Sequence, residues 1–172
     1  AYWLYLSVVM ERPLAFHITF GTYGTRLHGH VEGTVDRSRN KPGDPIVGRN
    51  EAWAEIEARQ MAHPAVWLTP EQRLTAQAAL PEVCDALEVQ HHNSGALPNH
   101  VHVLLTAKAG VEAAAVRRLL KRNLSQRLST RCPLPDRGRW WAKGGSVRWV
   151  WNQRYFENVW QYIEEQRCRG DV

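Results

Sequence analysis

Three observations predict an α+β sandwich built on one antiparallel sheet. Short runs rich in β-branched and aromatic residues stand at 14–21, 100–106 and 146–151. Helical periodicity fills the spaces between them, most clearly over 69–87 and 111–128. The two kinds of element mix without a strict βαβ rhythm, which disfavours a parallel sheet. With 172 residues, 44% of them hydrophobic and 23% charged, the chain is long enough for one domain with a real core.

The elements follow in order. Residues 14–21 (LAFHITFG) form a first strand. Residues 23–48 are crowded with Gly, Pro, Asn and Asp and make a long loop, a kind of segment that is often functional. Residues 50–61 are helical, with Asn50 at the N-cap. Thr69-Pro70-Glu71-Gln72 combines a capping hydroxyl, a first-turn proline and a glutamine at the capping-box position. It opens a helix toward Leu87 that Pro81 is expected to kink or end. A second strand lies within 88–97, diluted by His91, His92, Asn93 and Gly95. The 100–106 strand comes next. Over 111–128, Val116, Leu119, Leu120, Leu124 and Leu128 share a helix face, and Arg117, Arg118, Lys121 and Arg122 take much of the rest. A loop at 132–138 leads to Trp140-Trp141, the 146–151 strand (SVRWVW) and a closing helix over 157–167.

Residues 1–9 (AYWLYLSVV) are apolar but far short of the roughly 20 residues that cross a bilayer, and they lack the features of a signal peptide. Residues 1–12 are therefore expected to be an upstream extension or fragment edge. Residues 13–172 are expected to form a single domain with a long insertion at about 29–69. Cys84, Cys132 and Cys168 are odd in number and widely spaced, as reduced thiols of a cytoplasmic protein would be. No membrane partner is expected.

The formal charge is +5 and the sequence pI about 9.4. Between Arg117 and Arg148 the only acid is Asp136, against ten basic residues, among them Arg117, Arg118, Lys121, Arg122, Arg127, Arg139 and Lys143. Such a stripe is either a solvated surface or a footprint for a phosphate backbone. Trp140, Trp141, Trp149 and Trp151 interleave with it. Exposed indoles there would stack unpaired bases, but Trp149 and Trp151 share one strand face, as packed residues do.

Pro98-Asn99-His100-Val101-His102-Val103-Leu104-Leu105 carries the chemistry. On a strand His100 and His102 project from one face while Val101, Val103 and Leu105 enter the core. Two imidazoles held this way supply half of a metal site. His28-Gly29-His30 has the same spacing, but it spans a glycine in a loop where no pleat aligns the rings. Late in the chain Tyr162 and Gln166 stand four apart on a helix, so they share a face. One offers a nucleophilic phenol and the other a neutral carbonyl oxygen.

The Pro-Asn-His-Val-His-Val-Leu-Leu run, the basic helix after it and the late Tyr-x-x-x-Gln helix resemble the HUH single-tyrosine transposases. That family includes the insertion-sequence transposases and the REP-associated tyrosine transposases. Residues 16–29 (FHITFGTYGTRLHG) and 140–146 (WWAKGGS) also resemble one of its branches. The resemblance implies a ferredoxin-like sandwich with a central antiparallel sheet and helices packed on one face. It implies a single-stranded DNA nickase and strand transferase acting through a 5′-phosphotyrosine, with Tyr162 as nucleophile. His100, His102 and Gln166 would ligate Mg²⁺ or Mn²⁺, leaving positions open for a scissile phosphate. The implied partners are single-stranded DNA with hairpin-forming repeat ends and a second copy of the chain in a homodimer. A phenol is protonated at neutral pH, so a base or the metal must assist, and the sequence names no base. Tyr155 and Tyr23 are rival nucleophiles, but Val159 and Leu27, not Gln or Glu, follow four residues later. The alternative is a non-catalytic or domesticated sequence-specific nucleic-acid-binding protein of the same fold. A structural zinc protein is disfavoured because the cysteines are scattered.

Overall fold

The computed structural model describes residues 12–26, 50–136 and 138–170. Its elements are β1 (Ala15–Gly21), α1 (Glu51–Arg59), α2 (Pro70–Ala86), β2 (Gln90–Ala96), β3 (His100–Thr106), α3 (Ala113–Arg131), β4 (Ser146–Val150) and α4 (Gln153–Gly170). The strands form one antiparallel sheet in the order β2-β3-β1-β4. Setting α1 and α4 aside, the sequence of elements is the βαββαβ of a ferredoxin-like domain, the class expected. Residues 1–9, His28, His30 and most of the expected 23–48 loop lie outside the described residues. Among the described residues no helix is long and apolar enough to cross a membrane.

Alternation along the strands divides the sheet into two chemically distinct faces. Ile18 and Phe20 of β1 and Val101, Val103 and Leu105 of β3 point toward α2 and α3. There they meet Leu80 and Val83 of α2 and the stripe Val116, Leu120, Leu124 and Leu128 of α3, all almost wholly buried. Each such aliphatic side chain contributes roughly 1.5–3 kcal/mol on burial, so this layer carries most of the stability. Leu119, expected in the stripe, is 40% exposed. The other face carries a smaller apolar cluster of Ala15, Leu104, Val150, Val159 and Ile163, the last two from α4. The expectation of helices on a single face thus holds for α2 and α3, while α4 takes the opposite face. The βαββαβ unit fills one side of its sheet with two helices, so a further amphipathic helix can bury its apolar stripe only on the other.

Local chemistry explains the boundaries. Thr69 caps α2 with the full capping box, its hydroxyl accepting from Gln72 N and the Gln72 side chain accepting from Thr69 N. α2 runs through Pro81 to Ala86. Pro81 sits on the exposed side while Leu80, Val83 and Cys84 hold the turn against the core, so tertiary packing overrides the expected break. α4 begins one turn earlier than expected because Asn152 Oδ1 accepts from Tyr155 N at 2.9 Å and caps it. Val66 and Leu68 join the main core, Val66 N donating to Tyr23 O and Leu68 N to Pro98 O. Gly145 has φ +128°, and a Cβ there would fall 2.5 Å from Thr19 O, so only glycine lets the chain enter β4 beside β1.

The tryptophans reverse the expectation. Trp140 and Trp141 are buried, their indole N–H groups donating to Ser129 Oγ (2.8 Å) and to Lys121 O and Ser125 Oγ (3.0 and 2.9 Å). Trp149 and Trp151, expected to pack, are 52% and 45% exposed. β4 is an edge strand, and only its Val147 reaches the main core. Trp149 is left against Phe16 and Trp151, with ring centroids 6.2 and 5.3 Å away.

Candidate active site

His100 and His102 share the face of β3 that looks toward α4, as the alternation requires. β3 is central, so His102 lies between Thr19 of β1 and Gly95 of β2 in register. The two rings and Tyr162 line a cavity of about 360 Å³, together with His17, Thr19, Arg26, Ser146, Arg148, Tyr155, Asn158 and Val159. Among the described residues no carboxylate lines it.

The imidazoles form a hydrogen-bonded chain. Asn99 Oδ1 lies 2.5 Å from His100 Nδ1. A carbonyl oxygen only accepts, so His100 Nδ1 carries the proton and His100 Nε2 presents its lone pair. That lone pair faces His102 Nε2 at 2.9 Å. On its other side, His102 Nδ1 meets Thr19 Oγ1 at 2.9 Å and His17 Nε2 at 3.1 Å. Burial disfavours the charged form of all three rings. His17 and His100 are pushed down to about 4, with Arg148 adding to the effect on His17 and Arg26 to that on His100. His102 falls to about 2 through burial, then the neighbouring His100, His17 and Arg26. Neutral imidazoles are the form that binds metals.

The donor set fits an ion held by two protein nitrogens. An ion about 2.1 Å from each of two cis ligands keeps them about 3 Å apart, close to the 2.9 Å between the two Nε2 atoms. Among the described residues no group of three His, Cys, Asp or Glu side chains could hold a metal ion. His17 reaches His102 from behind, at Nδ1, not from the side that faces His100. Further donors would have to be an amide, water or substrate.

The structure brings Tyr162 to the histidine pair. Its ring centroid is 5.3 Å from that of His102 and 6.2 Å from that of His17, edge-to-face in both cases, and the residue is 43% exposed. Tyr155 lines the same cavity from two turns earlier on α4, half-buried against the small apolar cluster. Gln166 lies one turn beyond Tyr162, half-buried and outside the cavity lining.

The basic residues of α3 lie with the other layer, across the sheet from the cavity. Several serve the fold: Lys121 Nζ donates to Ala142 O and Gly144 O, and Arg117 donates to Gly145 O. Arg127 pairs with Glu82 and Arg118 with Glu112. Arg122, Arg139 and Lys143 are exposed.

Sequence reading missed His17, Thr19, Arg26, Asn99 and Arg148 as site residues. Period-two alternation marks His17 and Thr19 as one face of β1, but only the register of β1 on β3 sets them beside His102. It also missed how α4 is held. Asn93 Nδ2 donates to Trp160 O at 3.3 Å and Glu164 Oε1 at 3.0 Å, and Arg167 pairs with Glu164 while donating to Ser94 O. From the other face Gln77 bonds Ser94 and accepts from Ala96 N. Asn93, one of the residues that diluted β2 in the sequence, is the one that hydrogen-bonds the tyrosine helix.

Comparison with known proteins bears on the family and the fold. The sequence model of the family described as transposase IS200 like matches residues 64–166, more than half of the chain. No curated protein matches. Among solved structures, a REP-associated tyrosine transposase bound to a REP hairpin superposes with a TM-score of 0.51 at 13% identity, over 90% of this chain and 67% of that one. A candidate transposase from Deinococcus radiodurans R1 is similar over 91% of this chain and 92% of its own, at 18% identity and a TM-score of 0.48. The family match spans α2, β2, β3, α3, β4 and most of α4, and on that match the chain belongs to the IS200-like transposase family.

Proposed function

We propose that this transposase nicks single-stranded DNA and transfers the strand through a covalent bond to Tyr162. The observation that carries the reading is the placement of the Tyr162 ring 5.3 Å from His102, across one cavity from a pair of facing, neutral imidazole nitrogens. Tyr162 Oη attacks the scissile phosphorus, an O–P bond forms, and the bond from phosphorus to the 3′-oxygen breaks. The phenol gives up its proton and the leaving 3′-oxygen gains one, so a 5′-phosphotyrosine and a 3′-hydroxyl result. The phosphodiester energy is kept in the new ester, which lets a second 3′-hydroxyl reverse the step without ATP.

His100 and His102 would hold the Mg²⁺ or Mn²⁺ through Nε2, with Gln166 as the expected third protein ligand. When bound, the ion would draw charge from the non-bridging oxygens of the phosphate. Asn99 fixes the His100 tautomer, and Thr19 and His17 orient His102 from behind. The hairpin bound by the structural neighbour makes a hairpin-forming strand the substrate to try first, and a homodimer is the expected assembly.

The test incubates labelled single-stranded hairpins with the protein and Mn²⁺ or Mg²⁺ and resolves protein–DNA adducts on denaturing gels. A metal-dependent adduct is expected for the native chain and for Tyr155→Phe, and none for Tyr162→Phe. An adduct that survives Tyr162→Phe moves the nucleophile elsewhere. Hairpin binding with no adduct under any metal favours a binding protein of the same fold.

A further inference from the structure

Two guanidinium groups line the cavity from opposite ends of β1. Arg148 sits on β4 directly across from His17 in the register. Arg26 follows β1 at its other end, where Gly21 pairs with His100. Its Cδ lies 4.0 Å from the point a Cβ on Gly21 would occupy, so the side chain folds back over the strand. The separation along β1 from His17 to Gly21 is roughly 13 Å, and His102 stands between them opposite Thr19, with the Tyr162 ring beside it. Both arginines are exposed. Among the described residues neither has an ion pair or hydrogen bond, in contrast with Arg117, Lys121 and Arg127 of α3. Two cations beside buried imidazoles, with no carboxylate among the described residues that line the cavity, hold a positive potential there.

We propose that Arg26 and Arg148 grip the non-bridging oxygens of the phosphodiester that Tyr162 attacks, one from each end of the cavity. A guanidinium presents a planar fork of donors that matches a phosphate in two-point contact, and it stays charged in any surroundings. Charge that grows on those oxygens as the phenol attacks would be met by fixed donors that need no reorganisation. The basic residues of α3, on the other layer, would bear on strand binding and not on this step.

The proposal rests on the tyrosine reaction, and its test separates the two. The native chain first maps the scissile phosphate by its adduct. With that hairpin at saturation, Arg26→Ala and Arg148→Ala should each form adduct about a hundredfold more slowly, while hairpin affinity changes less than about threefold. Arg→Lys at either position should restore part of the rate. The decisive arm replaces the scissile phosphate by a methylphosphonate, in which a methyl group takes the place of one charged oxygen. On that substrate the alanine variants should match the native chain within about threefold, because the charge they served is gone. An equal deficit on both substrates, or no deficit on the native one, overturns the proposal. If the native chain forms no adduct at all, the tyrosine reaction fails while the anion site is still decided, by titrating inorganic phosphate against ³¹P line width. Binding that disappears in both alanine variants upholds the site, and binding that is absent or unchanged overturns it.

Discussion

The two faces of the sheet are built on opposite principles. Toward α2 and α3, the strands present aliphatic and aromatic side chains to two amphipathic helices and close a dry core. Toward α4 the same strands present His17, Thr19, His100 and His102, and only a small apolar cluster around Ile163 seats the helix. The first face can tolerate no polar group without a partner. The second is organised by polar groups, each tied to another: Asn99 to His100, Thr19 to His102, Asn93 to Glu164. One face therefore holds the main core and the other the candidate site, and a single strand, β3, serves both by its alternation.

That division can be broken in measurable ways. The largest contrast is between His102, on the α4 side of β3, and Leu124 of α3, packed on the other side. His102→Ala should lower adduct formation by about a thousandfold, the several kcal/mol that a metal supplies to a phosphoryl transition state. Leu124→Ala, on the dry face, should cost about 2–5 kcal/mol of unfolding free energy in urea while the remaining folded protein keeps its rate per active molecule. If Leu124→Ala instead spares stability, the α2–α3 layer is not the principal core.

Asn93→Ala tests the fastening of the tyrosine helix. It removes one donor from Trp160 O and one from Glu164, which keeps Arg167, and leaves Ser94 N without its acceptor, at about 1–3 kcal/mol. The adduct rate should fall too, and the KM for hairpin should move less than kcat, since Asn93 is not among the cavity-lining residues. A variant with native rate and native melting would show that α4 is held by Ile163 and Val159 alone.

The smallest effect is on pH. His17 and His100 sit at about 4 and His102 at about 2 in the folded chain, below the 6.5 of a free imidazole. The unfolded chain then binds more protons than the folded one below about pH 6.5, so their contribution to stability is complete above that pH and declines as it falls toward 4 and beyond. The dry face adds nothing in this range: Cys84, the thiol buried there, is pushed up to about 12 by burial and the nearby Asp85. Urea unfolding at pH 7, 6 and 5 should show falling stability, with a shallower slope in His17→Phe. A slope unaltered by that substitution would place the acid sensitivity elsewhere.

How much of this was legible depended on the face. The valines of β3 and the leucine stripe of α3 declare themselves by periodicity, because burial against an apolar layer needs only the right residue at the right interval. Thr69 and Gln72 declare the start of α2 because a cap is a local contract between near neighbours. β2 was the weakest strand in sequence, since the partners that satisfy Asn93 and Ser94 come from α4 and α2, as far as 73 residues away. Trp149 and Trp151 were misjudged because strand alternation says nothing about whether a neighbour covers the strand, and β4 is at the edge.

By itself the sequence determined the α+β class, the common face of His100 and His102, and the helical pairing of Tyr162 with Gln166, all of them consequences of backbone periodicity. Only the tertiary structure decided that Tyr162 reaches the His102 ring while Gln166 lies outside the cavity, that His17 and Thr19 stand behind His102, and that Arg26 and Arg148, not the basic helix, line that cavity. Those depend on strand register and on which face a helix takes, and both are set by packing between segments that are distant in the chain.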